Sequence, residues 1–453
     1  MRSFILASLG TLLAGGAAAS TMTPISSWNG NTGYVEGRPV VSGGVVYGVL
    51  SYTPPPGGSD LNGSVYALTP PTSGSTYTQT TISSFTGGAA GGNPNGGLSV
   101  SPNGTLYGAA FSGGSLSTVC KADAVQGCGL IYALTKSGNT WTRTTIYTFL
   151  GGADGIGPVG NLISDSSGAL YGVTQGGGCT PTLIYPIGCG IVFKLTPPTS
   201  GTAWTETILY TFKGGATDGA NPLGPLARDA AGNIYGATPF GGTAETNCAT
   251  LATLPNGNGD GRCGVAFKLA YNSGTGKYAE SILHFFTDGA DGSIPFGGVV
   301  LDGKGNVYGT TLQGGNGGLC FNFGYSGCGV VFELAAASGY AKSNLWSFTG
   351  ADGAAPSALL ISGKNRLFGV TTNNTSDEKC NASAYYCGTA FELTLATGSW
   401  HETVLYTFSG TANAITGPEF GLAADTSGKL YGVSLNSATS SAFTLLGNLP
   451  SRP

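Results

Sequence analysis

Charge is scarce in this chain. Only 9% of its 453 residues are Asp, Glu, Lys or Arg, and it has two histidines and two methionines. Eighteen basic against 22 acidic residues leave a formal net charge of −4 with no basic cluster, which argues against nucleic acid or an anionic membrane as a charge-held partner. Beyond the N-terminus no stretch approaches the roughly 20 apolar residues needed to cross a bilayer, so no membrane span is expected. The glycine run Gly176-Gly177-Gly178 opens a loop after a strand pattern and not a helix, so it supplies no helix N-terminus for a phosphate. What is abundant is 80 Gly, 21 Tyr and 20 Phe within a 41% hydrophobic composition. That describes a turn-rich β protein able to bury a core, and it excludes a charged, aromatic-poor disordered chain.

The first residues read as an export signal: Met1-Arg2 is a positive start, Phe4 to Leu13 an apolar core, and Ala17-Ala18-Ala19 a small-residue cleavage site. Residues 1–19 are therefore expected to be removed and 20–453 to form one domain, secreted or periplasmic.

Aligned on itself, the chain repeats an aliphatic-aromatic-Gly triplet seven times: Val46-Tyr47-Gly48, Leu106-Tyr107-Gly108, Leu170-Tyr171-Gly172, Ile234-Tyr235-Gly236, Val307-Tyr308-Gly309, Leu367-Phe368-Gly369 and Leu430-Tyr431-Gly432. Successive aromatics lie 60, 64, 64, 73, 60 and 63 residues apart. Four strand-like runs fill each period. In the unit after Phe212 they are strand A (Leu223 to Arg228), strand B (Asn233 to Thr238), strand C (Val265 to Leu269) and strand D (Glu280 to Phe286). Asp229-Ala230-Ala231-Gly232 reads as the tight A-to-B turn. Seven aromatics mark strand C (Tyr66, Tyr132, Phe193, Phe267, Phe332, Phe391, Phe443) and seven mark strand D (Trp28, Phe85, Phe149, Phe212, Phe286, Phe348, Phe408). A proline in each unit, Pro39, Pro94, Pro158, Pro222, Pro295, Pro356 or Pro418, is placed just ahead of strand A.

The expected fold is an all-β, seven-bladed β-propeller of four-stranded antiparallel blades. Its phase is offset, because residues 25–28 read as a strand D without a blade and residues 418–447 as a blade without a strand D. Pairing the two closes the ring and removes an exposed sheet edge. A monomer is expected.

The recurring Asp-Gly-x-x-Pro, Leu-Tyr-Gly and Cys-Gly-x-Val-Phe elements resemble the GloVer tandem-repeat family of exported bacterial proteins, across essentially the whole mature chain. The resemblance implies export and repetition and implies no enzyme activity.

Ten cysteines fall in five close pairs, each in a B-to-C loop: Cys120 with Cys128, Cys179 with Cys189, Cys248 with Cys263, Cys320 with Cys328, and Cys380 with Cys387. An even count in an exported chain points to disulfides within each loop, and two sulfurs per loop fall short of a zinc site. No metal or cofactor is expected. If strand A lines the axis, these clips share one face with the D-to-A loops. Tyr185, Phe321, Phe323, Tyr325, Tyr385 and Tyr386 lie within the clipped loops, where they either present rings to a glycan or a protein partner or fold back over neighbouring blades.

Asp154, Asp218, Asp291 and Asp352 precede glycines in D-to-A loops, a pattern that fits turns and only conceivably calcium. His284 and His401 fall on strand D, away from the axis. Glu36 and Glu419, which break the repeat ahead of strand A, are the carboxylates best placed for an axial site. Two readings follow: an exported, non-catalytic binding or scaffold propeller using its clipped loops, or a polysaccharide hydrolase or lyase with an axial site.

Overall fold

The A-to-B turn shows how the repeat builds its strands. In the fourth unit Asp229 accepts the Asn233 amide at 2.9 Å through Oδ1 and the Tyr235 hydroxyl at 3.1 Å through Oδ2. Asp165, Asp302 and Asp425 accept Tyr171, Tyr308 and Tyr431 in the same way. The aspartate thus tethers the tight turn to the triplet tyrosine, which explains why both recur.

The computed structural model describes residues 21–29, 34–51, 62–74, 76–116, 120, 127–182, 185–242, 263–316, 320, 327–363, 365–373, 387–408, 417–418, 420–435 and 439–445. They form a seven-bladed propeller of antiparallel sheets ordered A-B-C-D. The third blade is representative, with strands Ile156–Ser164, Leu170–Gly176, Ile191–Thr196 and Thr205–Thr211. The seventh uses Ala423–Ala424, Leu430–Leu435 and Thr439–Leu445, and its outer strand is Met22–Asn29 from the other end of the chain. The closing strands pair antiparallel from Met22 with Leu445 to Asn29 with Thr439. Residues 1–20, including the expected export signal, lie outside the described residues.

The glycine of each triplet is a steric requirement. It sits directly across from the strand-C aromatic of its own blade, as Gly236 does from Phe267 and Gly432 from Phe443. A Cβ on Gly236 would stand 2.5 Å from Phe267 Cζ, so the ring lies over the bare backbone. Its other side meets the aromatic that follows strand D in the preceding blade. Seven such pairs run around the ring, with centroids 4.6 Å apart for Trp28 and Tyr66 and 5.0 to 5.2 Å for the rest. The core is accordingly distributed between blades: Phe149 of the second blade shares one cluster with Leu170 and Phe193 of the third.

Strand A departs from the expected run. In the fourth blade only Ala227–Arg228 pairs with strand B, and Gly219–Ala220 pairs separately with Phe240–Gly241. Between them Asn221 takes a φ of 51° and its amide bonds the Cys189 carbonyl of the preceding blade at 2.7 Å. The same step recurs at Asn93, Gly157, Ile294 and Ala355, whose amides bond Asn62, Cys128, Cys263 and Cys328 carbonyls. Inter-blade bonding thus competes with the strand ladder and wins, even for the β-branched Ile294 at φ 58°, a strained backbone for such a residue.

The following proline packs on the glycine after that cysteine; a Cβ on Gly190 would stand 2.5 Å from Pro222 Cδ. The Cys-Gly and Pro elements are therefore two halves of one joint. Pro39 is the exception. Pro158 too lies inside its strand A and not ahead of it, but before the break in register. Pro39 lies within the break between Glu36 and Val40 of Tyr34–Ser42, because the first blade carries its bulge without the preceding proline step.

Candidate functional site on the propeller axis

After the kink, each blade sends a short segment toward the axis before strand A resumes. In the third blade this is the register break between Val159 and Ile163. Glycine lets these segments meet backbone to backbone. A Cβ on Gly37 would come 2.1 Å from Gly97 N of the next blade, and one on Gly224 would come 2.3 Å from Gly298 N. The glycines form a collar, and the residues beside them line a cavity of about 250 Å³.

Every blade contributes to that lining, and the contributions differ. Glu36 and Arg38 come from the first, Asn95 from the second, Asn161 and Gln175 from the third, Leu223 from the fourth, Phe296 from the fifth, Ser357 from the sixth and Phe420 from the seventh. Gln175 lies at the end of strand B, four residues before the clip cysteine Cys179, so the cavity lies toward the face that carries the clips.

Several of these side chains are held in place. Ser51 donates to Glu36 Oε1 at 2.9 Å. Asn161 joins two blades, accepting from Gly97 N at 3.3 Å and donating to the Leu98 carbonyl at 3.0 Å. Arg38 reaches from the first blade to the sixth, where Nη1 donates to the Leu359 carbonyl at 3.4 Å. Enclosure by protein pushes the Arg38 guanidinium below its usual pKa. Others keep binding capacity. Ser357 Oγ is buried, with its residue 4% exposed, and makes no hydrogen bond. Phe296 is 41% exposed, an unusual state for a phenyl ring in this chain.

The clips are present as pairs. Cys120–Cys128, Cys179–Cys189 and Cys320–Cys328 are disulfides, with Cα atoms 4.9, 5.4 and 5.2 Å apart. Cys263 and Cys387 are also disulfide-bonded, and Cys248 and Cys380 lie outside the described residues. Tyr185 folds back: it is 6% exposed, and a Cβ on Gly214 would stand 2.5 Å from its ring. Phe321, Phe323, Tyr325, Tyr385, Tyr386 and Glu419 lie outside the described residues.

The D-to-A aspartates are engaged by the chain itself. Asp154 accepts Tyr147 Oη and Leu150 N, Asp218 accepts Tyr210 Oη and Lys213 N, and Asp352 accepts Trp346 Nε1 and Thr349 N. Asp291 binds His284 Nε2 and Lys342 Nζ at 2.9 and 3.1 Å, which outweighs its burial and holds its carboxyl below the usual range. His284 is thereby committed on the outer rim, and His401 pairs with Thr394 in the outer ladder of its blade.

Next to these aspartates, sequence reasoning missed three outer-strand glutamates of the following blades. Glu206 is pushed up to about 8 by burial and by Asp154, Glu402 to about 8 by burial and Asp352, and Glu280 to about 7 by burial and Asp218. Each has an Oε1 with no hydrogen-bond partner. The axial set apart from Glu36 was also missed. Its one signal in the sequence is unlikeness, since these residues flank the axial segments where the units stop resembling one another.

The model of the Gloeobacter/Verrucomicrobia repeat matches residues 34–255 and 247–446. No curated protein matches the chain. Among solved structures it is similar to an ancestral GH74 enzyme, at 10% identity over 96% of this chain and 52% of that one, with a TM-score of 0.53. It is similar also to a PL25 ulvan lyase, a polysaccharide lyase bound to -[GlcA(1-4)Rha3S]-, at 9% identity over 92% of this chain and 94% of that one, with a TM-score of 0.52. At such identities the likeness is one of fold.

Proposed function

The chain belongs to the Gloeobacter/Verrucomicrobia repeat family, and we propose that it acts as an exported, non-catalytic carbohydrate-binding propeller whose ligand enters the axial cavity from the clip-bearing face. The observation that carries this reading is Phe296, an exposed ring lining the same cavity as the amides of Asn95 and Gln175 and the carboxylate of Glu36. A ring for the apolar face of a sugar and planar polar groups for its hydroxyls are what carbohydrate recognition asks of a pocket. The likeness in fold to a polysaccharide lyase is in keeping with it. Disulfide clips and the N-terminal signal pattern support a place outside the cytoplasm.

Binding is favoured over turnover because, among the described residues, the cavity is lined by one carboxylate and no histidine, whereas glycoside hydrolysis takes two carboxyl groups. The enzyme reading retains one favourable observation, the location of Glu36 in the cavity.

A glycan array probed with the mature protein and with Phe296→Ala tests the proposal. Binding to one saccharide class that is lost in the variant is the expected result. Equal binding by both proteins, or capture of no glycan, overturns the axial reading. Product release from a bound polysaccharide that ceases in Glu36→Gln would replace binding with catalysis.

A further inference from the structure

The chemistry of the cavity is more specific than carbohydrate. Among the described residues Arg38 is its one cationic side chain, and a guanidinium carries five N–H donors. A single bond, at 3.4 Å to the Leu359 carbonyl, engages it, and no carboxylate pairs with it among the described residues. The donors left over form a planar fork that matches a carboxylate or sulfate.

A second observation points to the same ligand. Ser357 lines the same cavity, is 4% exposed and has an Oγ with no partner. Its hydroxyl can donate to an acid oxygen. Glu36, which accepts from Ser51, lines the same cavity. A volume of about 250 Å³ is small beside ordinary ligand pockets, so one sugar unit enters and not a length of chain.

Resting on the carbohydrate reading above, we infer that the axial cavity selects an acidic saccharide unit, with its carboxylate or sulfate ester held by the Arg38 guanidinium and the Ser357 hydroxyl.

Calorimetric titration of the mature protein with three probes tests this. They are a glucuronate-containing oligosaccharide, the same oligosaccharide with its carboxyls reduced to alcohols, and a neutral-backbone oligosaccharide bearing sulfate esters. At least one acidic probe is expected to bind tenfold or more tighter than the reduced one, and which one does so identifies the acid group. The preference should vanish in Arg38→Met, with residual binding of the reduced probe retained. It should persist in weakened form in Arg38→Lys, which keeps the charge and loses the fork.

Equal affinity of wild-type protein for acidic and reduced probes overturns the inference while leaving carbohydrate binding intact, and it does so whether or not the variants fold. A preference undiminished in Arg38→Met also overturns it. No binding of any probe overturns the carbohydrate reading together with the inference.

Discussion

At the joints between blades one arrangement recurs all the way around: a strand-C ring over a triplet glycine, meeting the aromatic at the end of the previous strand D at 4.6 to 5.2 Å. At the axis, the side chains flanking the collar are Glu and Arg in the first blade, Asn in the second, Asn and Gln in the third, and Leu, Phe or Ser in the others. A closed ring imposes the first pattern, because each joint must bury the same surface at the same angle for the last blade to meet the first. The second is free of that demand. A cavity lined by seven unlike segments has no rotational symmetry and suits one asymmetric ligand in one orientation. Repetition here serves the fold, and departure from repetition marks the site.

Breaking the repeated region should have the largest effect. Phe212 is fully buried between Tyr210 and Phe267. Phe212→Ala is expected to cost about 3–5 kcal/mol in denaturant unfolding, the usual range for emptying a core phenylalanine. A loss below 1 kcal/mol would show that the joint is looser than its geometry.

An intermediate effect is expected from pH. Glu206, Glu280 and Glu402 have folded-state pKa values of about 8, 7 and 8 against an ordinary 4.5, raised first by burial and then by Asp154, Asp218 and Asp352. A raised folded-state pKa means that the folded chain holds these protons more tightly. The resulting stability is fully present below pH 4.5 and is lost as pH rises through 7 to 8. Thermal midpoints should therefore fall across that window. Glu206→Gln, Glu280→Gln and Glu402→Gln combined should flatten the decline, and a triple variant with the wild-type slope would assign it elsewhere.

The smallest effect belongs to the axis. Phe296→Ala removes an exposed ring and should change stability by no more than about 0.5 kcal/mol. A larger loss in the same unfolding assay would make Phe296 part of the core and blur the contrast between the regions.

The legibility of the sequence follows the same division. The triplets, both aromatic series and the closing strand, read at residues 25–28 and observed over Met22–Asn29, stand out because period and phase are properties of the chain alone. The A-to-B aspartates read correctly as turn residues for the same local reason. Strand A was misjudged at Leu223 to Leu226 because its interruption arises from another blade: the Cys189 carbonyl that takes the Asn221 amide is 32 residues away.

Glu36 was recognisable as a break in the repeat and does line the cavity. Arg38 gave no such sign, since its place in the cavity arises only once the ring is closed. For Tyr185 the sequence left open a presented or a folded-back ring, and the structure packs it on Gly214.

Hydrogen–deuterium exchange with and without a saturating oligosaccharide tests most directly whether function sits where the repeats diverge. Protection is expected at 36–38, 95–96, 159–161, 223–225, 296–297 and 357–358, with the outer strands unchanged. Protection confined to the outer strands or to the clipped loops, with the axial segments exchanging as in the free protein, would contradict it.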